Sequence, residues 1–184
     1  MFGPILRGTR CTLRPPTTDD IPRYLAWFSD MEVTRYLGRR AVPSLQEEEE
    51  WFKRTAEDKN SVVWIIEDEG KAVGGIGIHA IDWLNAHAIT GIVIGEKEYW
   101  RRGIATEAMA LRTRYAFHEL NLHKLKSRAF MENEASQRAL QKAGYRRSGV
   151  EREEMYREGA WHDMWVCEVL REEWEREHRA EAND

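Results

Sequence analysis

The chain has 184 residues, of which 42% are apolar, and it is therefore long enough to bury the core of one globular domain spanning residues 1–184. Its 28 basic and 32 acidic residues give a formal net charge of −4, which argues against a nucleic-acid partner, because nucleic-acid-binding domains usually carry a basic surface. An acidic surface instead favours cationic acceptors.

The N-terminal third predicts one strand and two helices. Residues 10–14 alternate like a strand, which two prolines end. The helix that follows carries apolar residues at helical spacing: Ile21, Tyr24, Leu25 and Phe28. Ser44 and Glu47 form the capping-box pattern of a second helix, and we interpret its acidic run 47–50 as a solvated first turn rather than a metal site.

The remaining two thirds predict a sheet with interspersed helices. Two β-rich runs, 61–67 and 72–81, flank the hairpin signal Asp68-Glu69-Gly70. The later elements are a strand at 87–94, a helix at 104–119, a strand at 124–130, a helix at 135–143, strands near 145–155 and 161–170, and a charged helical tail at 172–184. Cys11 and Cys167 lie in strand-like apolar patterns, and we expect both to be reduced core residues.

No apolar run approaches about 18 residues, and no charged start followed by a long apolar segment stands near the N-terminus. We therefore expect no membrane association and a cytoplasmic location.

The most informative stretch, Tyr99 to Ala108, follows the predicted strand 87–94 and opens a helix. Backbone N–H groups and a helix N-terminus then point to one place, which suits an anion. Gly103 allows close backbone approach, and Arg101 and Arg102 suit phosphate oxygens. A nucleotide-bearing cofactor is one interpretation, and an ordinary solvated helix start is the other. Neither the dinucleotide-binding glycine pattern nor a P-loop is present.

A second group of residues follows, and together the two resemble a known family. The run Arg101 to Ala108, the run Leu120 to Leu125, Asn133 with Ser136, and the stretch Lys142 to Tyr145 are similar to the GNAT (Gcn5-related) N-acetyltransferases. They resemble most the branch with the ribosomal-protein alanine and serine N-acetyltransferases and the spermidine N-acetyltransferases. The resemblance implies an α+β fold, in which helices flank a mixed, mostly antiparallel sheet with splayed central strands, here 87–94 and 124–130.

The resemblance also implies acetyl-CoA as the acyl donor and no metal. The pantetheine arm of acetyl-CoA would pair with the backbone of Ile92, Val93 and Ile94. The pyrophosphate of acetyl-CoA would rest on a run of six residues: Arg101, Arg102, Gly103, Ile104, Ala105 and Thr106. Asn133 is either a helix N-cap or a contact of the pantetheine arm, and the two roles are compatible. Ser136 matches a serine that relatives present near the CoA sulfur.

The sequence departs from the family at four positions. The Arg-Gly loop begins with Trp100, Leu140 occupies the position of a common catalytic tyrosine, and Thr90 and Ser148 occupy positions where relatives often have an acid. Ser136 is therefore the candidate acid. The candidate bases are His79, Asp82, His87 and Glu32. We prefer His79, because histidine has a suitable pKa and this one ends a strand toward the cleft.

These residues predict an N-acetyltransferase in which a primary amine attacks acetyl-CoA directly within a ternary complex. The acceptor could be a protein N-terminal amine, a polyamine or a small amine. The alternative is a non-catalytic acyl-CoA-binding sensor or partner module on the same scaffold. Four tryptophans are expected to be partly exposed and could line an acceptor pocket or a homodimer face: Trp27, Trp51, Trp83 and Trp174.

Overall fold

Eight strands form one mixed sheet in the computed structural model, which describes residues 1–38 and 41–181. In chain order they are β1 (Leu6–Arg7), β2 (Thr12–Arg14), β3 (Val62–Asp68), β4 (Lys71–Asp82), β5 (His87–Ile94), β6 (Lys124–Phe130), β7 (Arg146–Arg157) and β8 (Ala160–Leu170). They lie in the order β1-β2-β3-β4-β5-β6-β8-β7, and all neighbours are antiparallel except β5 and β6. This mostly antiparallel mixed sheet confirms the predicted fold class.

Helices flank the sheet on both faces. They are α1 (Ile21–Ser29), α2 (Met31–Thr34), α3 (Leu45–Glu57), α4 (Ile104–His118), α5 (Glu134–Lys142) and α6 (Arg171–Glu181). The capping box of α3 is confirmed, because Ser44 N donates to Glu47 Oε2 at 2.6 Å and Glu47 N donates to Ser44 Oγ at 3.2 Å. The last three residues of the predicted tail helix lie outside the described residues.

Several local expectations are settled by burial and backbone angles. The hairpin signal is confirmed, since Glu69 and Gly70 have φ values of 46° and 81°, the left-handed pair that a tight two-residue hairpin requires. Cys11 and Cys167 are buried and unpaired. The acidic run 47–50 is not uniformly solvated, because Glu48 is buried. No helix within the described part of the chain is long and apolar enough to cross a membrane.

Two of the four tryptophans expected to be partly exposed are instead in the core. Trp27 is 3% exposed, because its ring lies against Gly95 and its Nε1 donates to Glu96 at 2.9 Å. Trp174 is 5% exposed and packs edge-on against Phe117 of α4. Both burials depend on partners far away in sequence.

Strands β5 and β6 diverge, as the resemblance implies. They pair in register only from His87 to Ile89, although β5 continues to Ile94 and β6 to Phe130. At the point of divergence Thr90 Oγ1 donates to the carbonyl of Lys126 at 3.1 Å, and Ser127 Oγ donates to the carbonyl of Thr90 at 3.2 Å. Beyond these bonds lies an opening between residues 90–94 of β5 and 127–130 of β6, which we call the fork.

Candidate functional site

The fork leaves one edge of β5 without a neighbouring strand. The carbonyl of Thr90 faces β6, and successive residues of a strand turn their main-chain groups to opposite edges. The N–H and C=O groups of Ile92 and Ile94 therefore face the fork. Val93 lies opposite Gly75 of β4, and its main chain turns toward that strand, so it does not offer the predicted backbone contact in the fork.

The Arg-Gly loop, residues 99–106, follows directly at the mouth of the fork. Arg101 and Gly103 have φ values of 62° and 81°, and this left-handed backbone turns the chain into the first turn of α4. The first N–H groups of a helix have no partner within it, so the amides at 104–106 are available to an anion. Trp100 Nε1 donates to the carbonyl of Ile94 at 2.9 Å and thereby ties the loop to the end of β5.

A third arginine, which the sequence pattern does not indicate, lies beside this loop. The Glu107 carboxylate of α4 accepts from Thr9 N, Thr9 Oγ1, Arg10 N and Cys11 N at 2.6–2.9 Å. These bonds hold the turn between β1 and β2 against α4, so that the Arg10 side chain lies next to Gly103. The positive charge around the loop therefore comes from Arg10, Arg101 and Arg102.

Asn133 and Ser136 lie at the other rim of the fork, just beyond the end of β6. Asn133 Oδ1 accepts from Ser136 N at 3.1 Å, so the N-cap interpretation of Asn133 holds, and the cap leaves its amide N–H₂ group for other contacts. Because the carboxyl ends of the parallel strands β5 and β6 meet at one edge, the loop and the start of α5 flank the same opening.

His79 lies on the opposite face of the sheet from α4. It is opposite Ile89 on β5, next to the closed end of the fork, and its ring lies against Gly77. Burial and the positive charge of Arg112 lower the pKa of His79 below its ordinary value of 6.5, against the opposing charge of Asp58. Strand β4 continues to Asp82, so His79 does not end it. Among the described residues, no hydrogen bond joins His79 to Ser136 or Asn133.

The other candidate bases are engaged by neighbouring side chains. Glu32 binds Lys97 at 2.8 Å. Asp82 and His87 lie 3.7 Å apart, and Asp82 also accepts two bonds from Asn85. Leu140 is 2% exposed, so this position supplies packing and no acid.

A buried polar cluster fills the sheet face below the fork. Arg112 of α4, 1% exposed, donates to the Tyr145 hydroxyl at 2.9 Å and to the carbonyl of Gly91 at 3.4 Å. The Tyr145 hydroxyl also lies 3.2 Å from Thr90 Oγ1. Arg112 could not be predicted as a site residue, because an arginine in a helix that contains several charges is usually interpreted as a surface residue.

A cavity of about 540 Å³ lies between α2 and the end of the β7–β8 hairpin. It is lined by Met31, Glu32, Arg35, Tyr156, Arg157 and Glu158. A smaller cavity shares Arg35, Arg157 and Glu158 with it and extends to Phe130, at the end of β6. Arg35 and Glu158 form an ion pair at 3.5 Å, so the charges of the larger cavity are partly balanced.

Comparison with known proteins agrees with this geometry. A family model described as "Acetyltransferase (GNAT) domain" matches residues 10–146. The "Uncharacterized N-acetyltransferase YoaA" of Bacillus subtilis (strain 168) is 34% identical over 91% of this chain and 97% of its own length. The "Putative ribosomal N-acetyltransferase YdaF" of the same strain is 32% identical over 68% of each chain. A spermidine N-acetyltransferase of Vibrio cholerae, solved in complex with CoA and spermine, superposes with a TM-score of 0.85 at 21% identity, over 91% of this chain and 99% of its own.

Proposed function

Since the chain belongs to the GNAT family and is an acetyl-CoA-dependent N-acetyltransferase, we propose that it acetylates a primary amine by direct attack within a ternary complex. The observation that carries this proposal is the open edge of β5 leading into the Arg-Gly loop. The same observation supports the assignment of residues 1–184 to one acyltransferase domain, because the sheet on both sides of the fork is continuous. The alternative function, a non-catalytic binding module, is supported only by Leu140 and Thr90, which stand where the family usually has a tyrosine and an acid.

The chain fits acetyl-CoA at three places. The N–H and C=O groups of Ile92 and the N–H group of Ile94 offer an extended arm the pairing that β6 no longer provides, while the Ile94 carbonyl is bonded to Trp100. The amides of the Arg-Gly loop hold the pyrophosphate, and Arg10 and Arg102 add charge at the same point. Asn133 reaches the arm through its side-chain amide.

The acceptor must be a neutral amine, although an alkylammonium has a pKa near 10 and the N-terminal ammonium of a polypeptide has one near 8. His79 takes that proton, since its lowered pKa keeps the imidazole neutral at pH 7. The amine nitrogen then bonds to the thioester carbon, and the Ile92 N–H stabilises the oxyanion, a contribution of about 3 kcal/mol in comparable sites. When the carbon–sulfur bond breaks, Ser136 gives its hydroxyl proton to the CoA thiolate and takes in exchange the second proton that the nitrogen loses as the amide forms.

The amine acceptor enters through the cavity beside α2. A polyamine would need several uncommitted carboxylates, but Glu32 is paired with Lys97 and Glu158 with Arg35. A cavity with balanced charges suits the N-terminal amine of a polypeptide better than a row of ammonium groups. The relative YdaF, whose name specifies a ribosomal N-acetyltransferase, supports the same acceptor class.

The test is a thiol-release assay with acetyl-CoA and a panel of amines. Short peptides with free N-termini should be acetylated, and the same peptides with blocked N-termini and internal lysines should not. Acetylation of spermidine or an amino sugar in preference to every peptide would refute the proposed acceptor class and would still support acetyl transfer to an amine.

A further inference from the structure

We propose that Arg112 is a positioning residue that strengthens the oxyanion-binding N–H of Ile92 by placing its charge on the carbonyl of Gly91. This inference rests on the proposed function, because it requires the thioester carbonyl to lie at the Ile92 amide. It assigns the buried guanidinium below the fork a part in acetyl transfer.

The charge of Arg112 is buried, since the residue is 1% exposed. Within residues 1–38 and 41–181 its guanidinium bonds to the Tyr145 hydroxyl and the Gly91 carbonyl, neither of which is charged. Its Nε has no hydrogen-bond partner within that same part of the chain. Removing a charge from water costs several kcal/mol unless a counter-charge repays it. If this helix position served packing alone, methionine or leucine would stabilise the fold better than arginine.

The guanidinium contacts a peptide group of β5. The carbonyl of Gly91 and the N–H of Ile92 belong to one peptide group, and they point to opposite edges of β5. A cation at the oxygen draws electron density from the nitrogen and makes the N–H a stronger donor. The distance of 3.4 Å is long for a hydrogen bond, so the interaction is mainly one of charge.

The guanidinium of Arg112 is held in a fixed direction. Tyr145, 2% exposed, accepts from Arg112 at 2.9 Å, and its hydroxyl lies 3.2 Å from Thr90 Oγ1. Ser127 holds the carbonyl of Thr90 from β6. The charge and the strand that it acts on are therefore fixed together at the base of the fork.

The experiment compares Arg112→Met with Arg112→Lys and with Arg114→Met, which makes the same change at an exposed position of α4. Each variant is titrated calorimetrically with acetyl-CoA and assayed for kcat and KM. Infrared spectra of acetyl-CoA labelled with ¹³C at the thioester carbonyl, bound without acceptor, report the strength of the hydrogen bond to that oxygen.

We expect Arg112→Met to lower kcat by about 10-fold, part of the effect of losing an oxyanion donor, with acetyl-CoA affinity changed less than about 2-fold. The carbonyl band should move toward its position in free acetyl-CoA, Arg112→Lys should recover part of both effects, and Arg114→Met should match the wild type. An unchanged kcat, or a lower kcat with an unshifted band, would overturn the proposal.

Tyr145→Phe removes only the hydroxyl that orients the guanidinium, and it serves as the test if Arg112→Met does not fold. Its band should shift in the same direction and its kcat should fall by about 3-fold. An unmoved band together with wild-type kcat would refute the assignment of Arg112. Failure of the wild-type protein to bind acetyl-CoA would instead refute the proposed function.

Discussion

Replacing Glu107 with glutamine should loosen the turn between β1 and β2 and weaken the binding of acetyl-CoA. The carboxylate accepts two bonds on each oxygen, from Thr9 N and Oγ1 on Oε1 and from Arg10 N and Cys11 N on Oε2. Glutamine keeps the size of the side chain, but it has one accepting oxygen and an N–H₂ group that cannot accept.

The expected change in the free energy of unfolding follows from the number of these hydrogen bonds. If the amide oxygen takes the place of Oε2, the bonds from Arg10 N and Cys11 N become neutral ones, each weaker by about 1 kcal/mol, and Thr9 N–H loses its acceptor. Water replaces the acceptor of Thr9, which is exposed. We therefore expect a loss of about 2 kcal/mol in the free energy of unfolding at neutral pH.

Urea denaturation of Glu107→Gln measures this loss, and Glu119→Gln, at an exposed position just after α4, is the matched control. Burial opposes ionisation of Glu107, but hydrogen bonds from Thr9, Arg10 and Cys11 hold its pKa below the ordinary 4.5. The stabilisation is present above pH 4.5 and is lost as pH falls through the lowered pKa, so the difference from wild type should shrink in acid.

Calorimetry should show a loss of about 5-fold in acetyl-CoA affinity for Glu107→Gln, since an exposed charge contact is worth up to about 1 kcal/mol. A stability equal to that of Glu119→Gln at every pH would refute the anchoring argument. Reduced stability with unchanged acetyl-CoA affinity would refute the part of Arg10 in phosphate binding.

Three further substitutions test the site. Arg102→Glu should weaken acetyl-CoA binding about 10-fold by opposing the phosphates, and Arg114→Glu, with the same charge change on the exposed side of α4, should not. Ser136→Ala should lower kcat about 10-fold with acetyl-CoA affinity unchanged, whereas Ser148→Ala on exposed β7 should behave as wild type. His79→Gln should lower kcat/KM about 100-fold at pH 7.5 and abolish the acidic limb of the profile, which lies below pH 6.5 because burial lowers the pKa of His79.

Each of these predictions has a contradicting result. Equal acetyl-CoA affinities for Arg102→Glu and Arg114→Glu would refute the assignment of the pyrophosphate to the Arg-Gly loop. A loss of acetyl-CoA affinity in Ser136→Ala equal to its loss of kcat would make the serine a binding group. An acidic limb retained in His79→Gln would assign the proton transfer to another group or to water.

Most of the fold could be predicted from the sequence, because its strands and helices carry clear local signals. The capping box at Ser44 and the left-handed pair Glu69-Gly70 are examples, since each needs only neighbouring residues. The short elements β1 and α2 were missed, because two and four residues are too few to show a period.

The parts of the site with a local sequence pattern, the Arg-Gly loop and the Asn133 cap, could be predicted. The Arg-Gly loop has a local pattern, but Arg112, Tyr145 and Glu107 act through partners at least 20 positions away. The direction of the Val93 main-chain groups could not be predicted from the sequence either, because it depends on pairing with β4. Trp27 and Trp174 were assigned to the surface for the same reason.

The most direct test of the account is a titration of acetyl-CoA into the protein, followed by thiol release on the same sample with a peptide bearing a free N-terminus. The account predicts saturable binding of acetyl-CoA and release of one thiol for each peptide acetylated. Binding without release for any amine would contradict the catalytic assignment, and absence of binding would contradict the assignment of the fork and the Arg-Gly loop to acetyl-CoA.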